Sequence, residues 1–301
     1  MSNERTTENN VISVQDEKEL VVSGNKPNTS RSDNAQNNVS SQRQLLVLAK
    51  TFCIEGGIIS TENQSPIEDR VVKRKRYSEF RSQKNLEEII QKSIPLCSKD
   101  EIPDRTDQDW FNSFIELAKG IGNKTMQDLW AKILAYEISK PGSFSLKTLQ
   151  TFRTMSIYDA KLLAKVAKYV VKEPQNKAIR ILSGVYQQPG LLNFFDKNRE
   201  HKINLNQYGI SYSDLMALAD NNILFLQEAE TGLIEKEQSL NFMASGQSIK
   251  LTAKKTNCVL SFYKFTPIGT ELLSLINDKS DNSFIDSLRK ELSHHFALDN
   301  G

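Results

Sequence analysis

Apolar residues recur every three or four positions through residues 108–174, the spacing of helices with one buried face. The pattern is interrupted by glycines at 120–122, by a Pro-Gly pair at 141–142 and finally by Pro174. We therefore predict a module of four helices, centred on Trp130.

Residues 43–107 are predicted to be a helical lead-in to this module. Between 69 and 93 apolar positions are sparse, charged residues crowd the rest, and neither Gly nor Pro occurs. This pattern predicts a long exposed helix whose thin apolar stripe thickens near its end. A shorter helix is predicted from Gln44 to the glycine pair at 56–57.

Residues 175–278 have a different pattern. Short helices are predicted first, then a helix within 209–229, then the alternating, β-branched runs SIKLTA and CVLSFYKF, and then a helix in TPIGTELLSLI. Helix, helix, two-stranded hairpin and helix is the order of a winged-helix domain. The predicted fold class is therefore mainly α, a helical module followed by a winged-helix-like α+β C-terminal domain. A further amphipathic helix and a tail are expected over 279–301.

Residues 1–42 contain no aromatic residue and are rich in Asn, Ser, Thr and Glu. Such a segment buries too little apolar surface to offset the entropy of ordering it. We predict a disordered polar tail.

Composition narrows the function only slightly. A net charge of +2 does not by itself indicate nucleic acid, so any basic surface must be local. No signal peptide and no apolar run of bilayer length is recognisable, which predicts a cytoplasmic protein without membrane contact. The three cysteines are scattered and the three histidines, His201, His294 and His295, form no ligand set, so we expect neither metal nor cofactor.

The segment PGSFS at 141–145 resembles a ligand loop but fits a structural corner better. A phosphate-binding loop needs several glycines, whereas this one has only Gly142. Pro141 ends one helix, Gly142 accepts a left-handed turn, and Ser143 or Ser145 caps the next helix. Glu137, at the edge of the apolar stripe, is predicted to pair with a cation of the next helix, Lys147 or Arg153.

A run of cations in the long helix is the main binding signal. Few acids interrupt it, so the helix is suited to follow a phosphate backbone without reading sequence. Three lysines of the predicted wing add to it. The candidate nucleic-acid-binding residues are Arg70, Lys73, Arg74, Lys75, Arg76, Arg81, Lys84, Lys250, Lys254 and Lys255.

Two other interpretations of these cations remain open. They are a solvated helix whose cations pair with Asp69, Glu79 and Glu87, or a surface for an acidic protein partner. The predicted recognition helix argues against sequence-specific DNA binding, because it has no cation and contains Asp214 and Asp220.

Four stretches resemble a known family in content and order. They are RYSEFRSQKNLEEIIQKSIP, DQDWFNSFIELAKGIGNKTMQDLWAKILAYEISKPGSFSLKTLQTF, GISYSDLMALADNNIL and FTPIGTELLSLI. Over residues 70–278 the chain resembles the bacterial family catalogued as domain of unknown function 2806. The resemblance implies a cytoplasmic bacterial protein without an established activity, and it carries an association with phage defence or mobile elements. The polar N-terminus departs from the long charged helical lead-in of other members.

The function predicted is that of a non-enzymatic binding protein that contacts the DNA or RNA backbone through the basic helix and the wing. The alternative is a protein-interaction or self-association module without nucleic acid. An unrecognised hydrolase or nuclease is the third hypothesis.

Overall fold

The computed structural model describes residues 40–57, 64–98, 105–174, 178–189, 199–244, 246–276 and 282–300. Residues 1–39, most of the predicted disordered tail, lie outside this part of the chain. The chain divides into two units, Met1–Thr51 and Phe52–Gly301. In the first unit, helix α1 (Ser41–Thr51) begins three residues before the predicted start and ends before the predicted glycine pair.

The first part of the second unit is helical. Its elements are α2 (Ile67–Ser93), α3 (Gln108–Ala118), α4 (Lys124–Ser139), α5 (Leu146–Thr154) and α6 (Ile157–Val166). Short 3₁₀ helices follow α2 at Ile94–Leu96 and α6 at Ala167–Tyr169. The long helix and the four helices of the module confirm the sequence predictions. Trp130 is fully buried between the rings of Phe114 at 5.3 Å and Phe152 at 5.4 Å.

The second part is built on an eight-stranded antiparallel sheet with strand order β4-β7-β2-β1-β5-β6-β8 and β3 paired to β2. The strands are β1 (Val171–Lys172), β2 (Ile179–Gln187), β3 (Glu200–Lys202), β4 (Ala229–Glu230), β5 (Ser239–Ala244), β6 (Gln247–Ala253), β7 (Cys258–Lys264) and β8 (Phe296–Asn300). The helices of this part are α7 (Tyr212–Asp220), α8 (Pro267–Leu273) and α9 (Asn282–Leu292).

The prediction of a winged-helix domain, and with it the fold class, was wrong. The runs SIKLTA and CVLSFYKF are strands β6 and β7, but they do not form a hairpin with each other. β6 pairs with β5 and β8, whereas β7 pairs with β2 and β4. β2 replaces the short helices predicted after residue 175, and β8 lies where a tail was expected.

The connection between β6 and β7 requires a curled sheet. Residues 254–257 join the two strands, although β5, β1 and β2 lie between them in the sheet. In a flat sheet the strands would be about 19 Å apart, four strand spacings. Five Cα steps reach at most about 18 Å. The sheet therefore curves so that β6 and β7 approach each other.

Strand β2 contributes to two hydrophobic cores. Ile179 and Ile181 belong to the core of the helical module, whereas Leu182 and Val185 belong to the core enclosed by the sheet and α9. A β-bulge between Leu182 and Gly184 shifts the alternation of side chains along the strand. Leu182 and Val185 therefore point to the same side although they are three positions apart. Ordinary alternation places Ile181 and Leu182 on opposite sides, so one strand serves both cores, and the bulge changes which later residues face the sheet core.

The PGSFS segment is a structural corner, as predicted. Gly142 has φ +82°, and the side chain of Ser145 accepts a hydrogen bond from Thr148 N–H at the start of α5. The prediction for Glu137 was wrong in its partner, because the carboxylate accepts hydrogen bonds from backbone N–H groups and not from Lys147 or Arg153. Its donors are Gly142 N–H at 2.7 Å and Phe144 N–H at 2.9 Å.

Candidate nucleic-acid interface

One face of helix α2 concentrates the cations of the basic run. At about 100° per residue, the five cations of this basic face fall within an arc of roughly 100° that also includes Tyr77. They are Arg70, Lys73, Arg74, Arg81 and Lys84. The acids Glu68, Asp69, Glu79 and Glu87 lie outside the arc, whereas Glu88, four residues after Lys84, falls within it. The basic face is roughly 21 Å long, comparable to the rise of six base pairs.

Most of the basic face is open to solvent. Lys73, Arg74 and Lys84 are exposed, and Arg70 and Arg81 are half-buried. Within the described part of the chain, none of the predicted cations of α2 forms an ion pair. The interpretation in which Asp69, Glu79 and Glu87 neutralise these cations is therefore not supported by the geometry.

The C-terminal half of α2 holds the helix on the module. Ile89 and Asn85 are buried against α3 and α4, and Asn85 Nδ2 donates to the carbonyl of Lys119 at 2.9 Å. The cations lie on the solvent-facing side of α2, and the buried contacts near its C-terminal end fix their position.

A cleft of about 390 Å³ opens beside the basic face. Arg74 and Arg81 line it from α2, and Lys119 lines it from the turn between α3 and α4. The remaining lining residues are apolar or hydroxyl- and amide-bearing, with no carboxylate among them: Phe52, Ile54, Tyr77, Ser78, Ser82, Asn85 and Gly120. The Arg81 guanidinium lies over the Phe52 ring, 4.7 Å from its centroid, a cation–π contact.

Two glycines in the α3–α4 turn make room for arginines. A Cβ at Gly122 would lie 2.9 Å from a guanidinium nitrogen of Arg81, and one at Gly120 would lie 3.0 Å from that of Arg153. Gly120 and Gly122 were interpreted only as helix breaks. Lys119 and Phe52 were missed by the sequence analysis, and Arg153 was considered only as a partner of Glu137. The fold brings Lys119 and Phe52 to the cleft beside α2 and Arg153 to Gly120.

Lys75 and Arg76, although exposed, point away from the basic face. At about 100° per residue they lie on two other sides of α2. The structure thus brings together five of the seven predicted cations of the helix and separates the other two from them.

Of the predicted wing lysines, Lys250 lies on strand β6, and Lys254 and Lys255 lie in the connection that follows it. Lys254 donates to the carbonyl of Ser293 at 2.7 Å, and Lys255 Nζ is 2.8 Å from His294 Nε2. Lys250 is exposed on β6, opposite Asp299 of β8. Two of these three lysines therefore fasten the chain segment between α9 and β8.

The carboxylate of Asp214 interacts with residues of its own fold, Ser211 and Lys165. It forms a capping box with Ser211 at the start of α7 and lies 3.4 Å from Lys165. Burial raises its pKa, but the Ser211 hydrogen bonds and Lys165 outweigh this and leave the pKa below its ordinary value. Its carboxylate supports the helix start, which replaces the interpretation of Asp214 as a phosphate-repelling group.

The three histidines come together near α9 without forming a metal site. His201 Nε2 contacts Glu291, and the rings of His294 and His295 are 5.2 Å apart. Over the described ranges, no group of three or more His, Cys, Asp or Glu side chains is arranged to hold a metal ion.

Among the helices that the structure describes, none is long and apolar enough to cross a bilayer.

Fold and surface define the class of protein: a helical module joined to a curled antiparallel sheet, with one long helix presenting a basic face beside a cleft. The chain belongs to the family described as "Protein of unknown function (DUF2806)", whose family model matches residues 69–289. The resemblance found in the sequence is thereby confirmed. Comparison with curated proteins and with solved structures finds no match.

Proposed function

We propose that this protein binds the phosphate backbone of nucleic acids through the basic face of α2. The observation that carries the proposal is that five cations, three of them exposed and two half-buried, lie on one arc of α2 without ion pairs to described carboxylates. Ion pairs with neighbouring carboxylates would neutralise much of the positive charge of the basic face.

The position of the basic face supports binding rather than a purely structural role. Surface cations that stabilise a helix usually pair with acids three or four positions away, and those pairs are missing among the described residues here. Nearby Lys119 and Arg153, from other elements, extend the positive surface across the α3–α4 turn. Lys119 is itself paired with Glu116 at 2.5 Å, so α2 provides the larger uncompensated charge.

A paired charge reversal tests the proposal. Lys73→Glu with Lys84→Glu should weaken binding to generic DNA and RNA of any sequence about equally, because phosphates carry no sequence information. The salt dependence should flatten by roughly one unit of log-log slope for each phosphate group that the variant no longer neutralises. Fluorescence anisotropy with labelled duplex and single strands at two salt concentrations measures both quantities.

The matched control is Lys75→Glu with Arg76→Glu. It changes the net charge of α2 by the same amount but leaves the basic face intact. We expect this control to retain most of the binding. Equal weakening in both variants would mean that only net charge matters, and no binding by the intact protein at low salt would refute the proposal.

A second candidate function is association with another protein through the part of α2 outside the basic face. Val72 is 66% exposed and Phe80 is 70% exposed, and both lie outside the basic arc. A contiguous exposed apolar patch marks a contact surface, and Val72 and Phe80 are exposed apolar positions from which such a patch on α2 would be built. A change in oligomeric state on Phe80→Ser, measured by light scattering, together with no binding of nucleic acid, would favour this alternative.

A further inference from the structure

From the cleft beside the basic face we infer that the preferred ligand is single-stranded nucleic acid, with one unpaired base inserted into the cleft beside Phe52 and Tyr77. This inference rests on the proposed function, since the basic face must hold the adjoining phosphates.

The size and lining of the cleft suit a flat aromatic group. Its volume of about 390 Å³ is within the range of about 300–1,000 Å³ typical of small-ligand sites. Phe52 and Tyr77 provide aromatic rings, and Ile54 adds apolar surface. Phe52 remains 39% exposed although Arg81 covers part of it, so ring surface is available to a ligand.

The polar lining is suited to a nucleotide rather than to an apolar ligand. Arg74 and Arg81 supply positive charge, and Ser78 and Ser82 lie one helical turn apart on the same face of α2. Hydroxyl groups hydrogen-bond the edges of any base. Aromatic rings beside a cationic groove are the combination by which proteins bind single strands with little sequence preference.

In a duplex the phosphates are accessible to the basic face, but no unpaired base is accessible to the cleft. Its bases are stacked and paired, and flipping one out costs a few kcal/mol. The basic face therefore accounts for binding to either form, whereas the cleft accounts for a preference for single strands.

The test replaces the ring and keeps the apolar bulk. Phe52→Leu should weaken binding to an oligothymidylate of about 15 nucleotides roughly tenfold, as expected when one base–aromatic stack is removed, and leave duplex binding unchanged. Phe80→Leu, which replaces an exposed aromatic ring of α2 outside the cleft, should leave both unchanged.

A spectroscopic readout detects the inserted base directly. A single 2-aminopurine at the centre of the strand should change its emission on binding the intact protein and much less on binding Phe52→Leu.

The outcomes separate the two proposals. In one outcome, charge reversal on the basic face abolishes all binding, whereas Phe52→Leu weakens the binding of single strands and of duplex equally or weakens neither. The inference about the base is then wrong, and the proposed function stands. If free thymidine monophosphate competes as well as the oligomer, the cleft is a mononucleotide site and the inference is also wrong. If the intact protein binds neither form, the proposed function itself fails.

Discussion

Glu137 is buried in α4 at 2% exposure, and each of its two carboxylate oxygens accepts one backbone hydrogen bond from the corner that follows. Trp110 holds the same corner from α3, because its Nε1–H donates to the carbonyl of Phe144 at 2.6 Å. Glu271 of α8 accepts from Ser145 N–H at 2.8 Å. Side chains from three helices thus satisfy the backbone groups of a loop that lacks regular structure.

Substitution of Glu137 by Gln should destabilise the protein although size and shape are retained. Glutamine has one oxygen and one NH₂ group, so either Gly142 N–H or Phe144 N–H would face another donor. A buried group left without an acceptor costs about 1–3 kcal/mol. Urea unfolding measures the destabilisation, and Glu79→Gln, on the exposed side of α2, is the control expected to change stability little. Equal stability of both variants would contradict this role.

His295 is a second buried polar residue whose contribution to stability is measurable. Its Nε2 lies 3.1 Å from the carbonyl of Arg199, and its Nδ1 is buried without a hydrogen-bond partner among the described residues. Burial, and secondarily the positive charge of Lys255 and the neighbouring His294, lowers the pKa of His295 from 6.5 to about 4.

This lowered pKa predicts a decrease in stability in mild acid. The unfolded chain takes up the proton near pH 6.5, whereas the folded protein takes it up only near pH 4. Stability is therefore present above pH 6.5 and lost as the pH falls towards 4, by at most about 1.4 kcal/mol per pH unit from this residue. Urea unfolding over this range should show a shallower pH dependence for His295→Gln than for the protein without the substitution. An identical pH dependence of the free energy of unfolding would show that His295 does not determine it.

At the scale of elements, helices were predictable and strand pairing was not. The helix starts carry local signals: Asn123, Ser145 and Ser156 each accept a backbone hydrogen bond as N-caps. Strand β8 has no such signal, because FALDN is short and its partner β6 is more than forty residues earlier.

Phe296→Ala tests whether β8 is part of the fold. Phe296 is 1% exposed and belongs to the sheet core together with Phe284 and Leu288 of α9. Truncating a buried Phe should cost about 3–5 kcal/mol, visible as a lower melting temperature. Asp299→Ala, on the exposed side of the same strand, should have little effect. An unchanged melting temperature for Phe296→Ala would mean that this segment is the tail expected from the sequence.

At the scale of the whole second unit, β2 joins the helical core to the sheet core. Its partners β7 and β3 lie on opposite edges, and its side chains alternate between the two cores. This nine-residue strand, Ile179–Gln187, lies in a region where the sequence predicted short helices. The run IRILSGVYQ is apolar enough for either structure, and periodicity alone does not distinguish a buried strand from a buried helix.

By itself the sequence determined the helices, their caps, the left-handed corner at Gly142 and the concentration of cations between Arg70 and Lys84. These features depend on residues within a few positions of each other, so local periodicity and turn chemistry are sufficient to predict them. Tertiary structure alone decided that β6 and β7 separate, that β8 completes the sheet, and that Phe52 and Lys119 meet the basic face. The physical reason is that an apolar strand can pair with any open edge, and a side chain distant in sequence reaches a site only through packing of the whole chain.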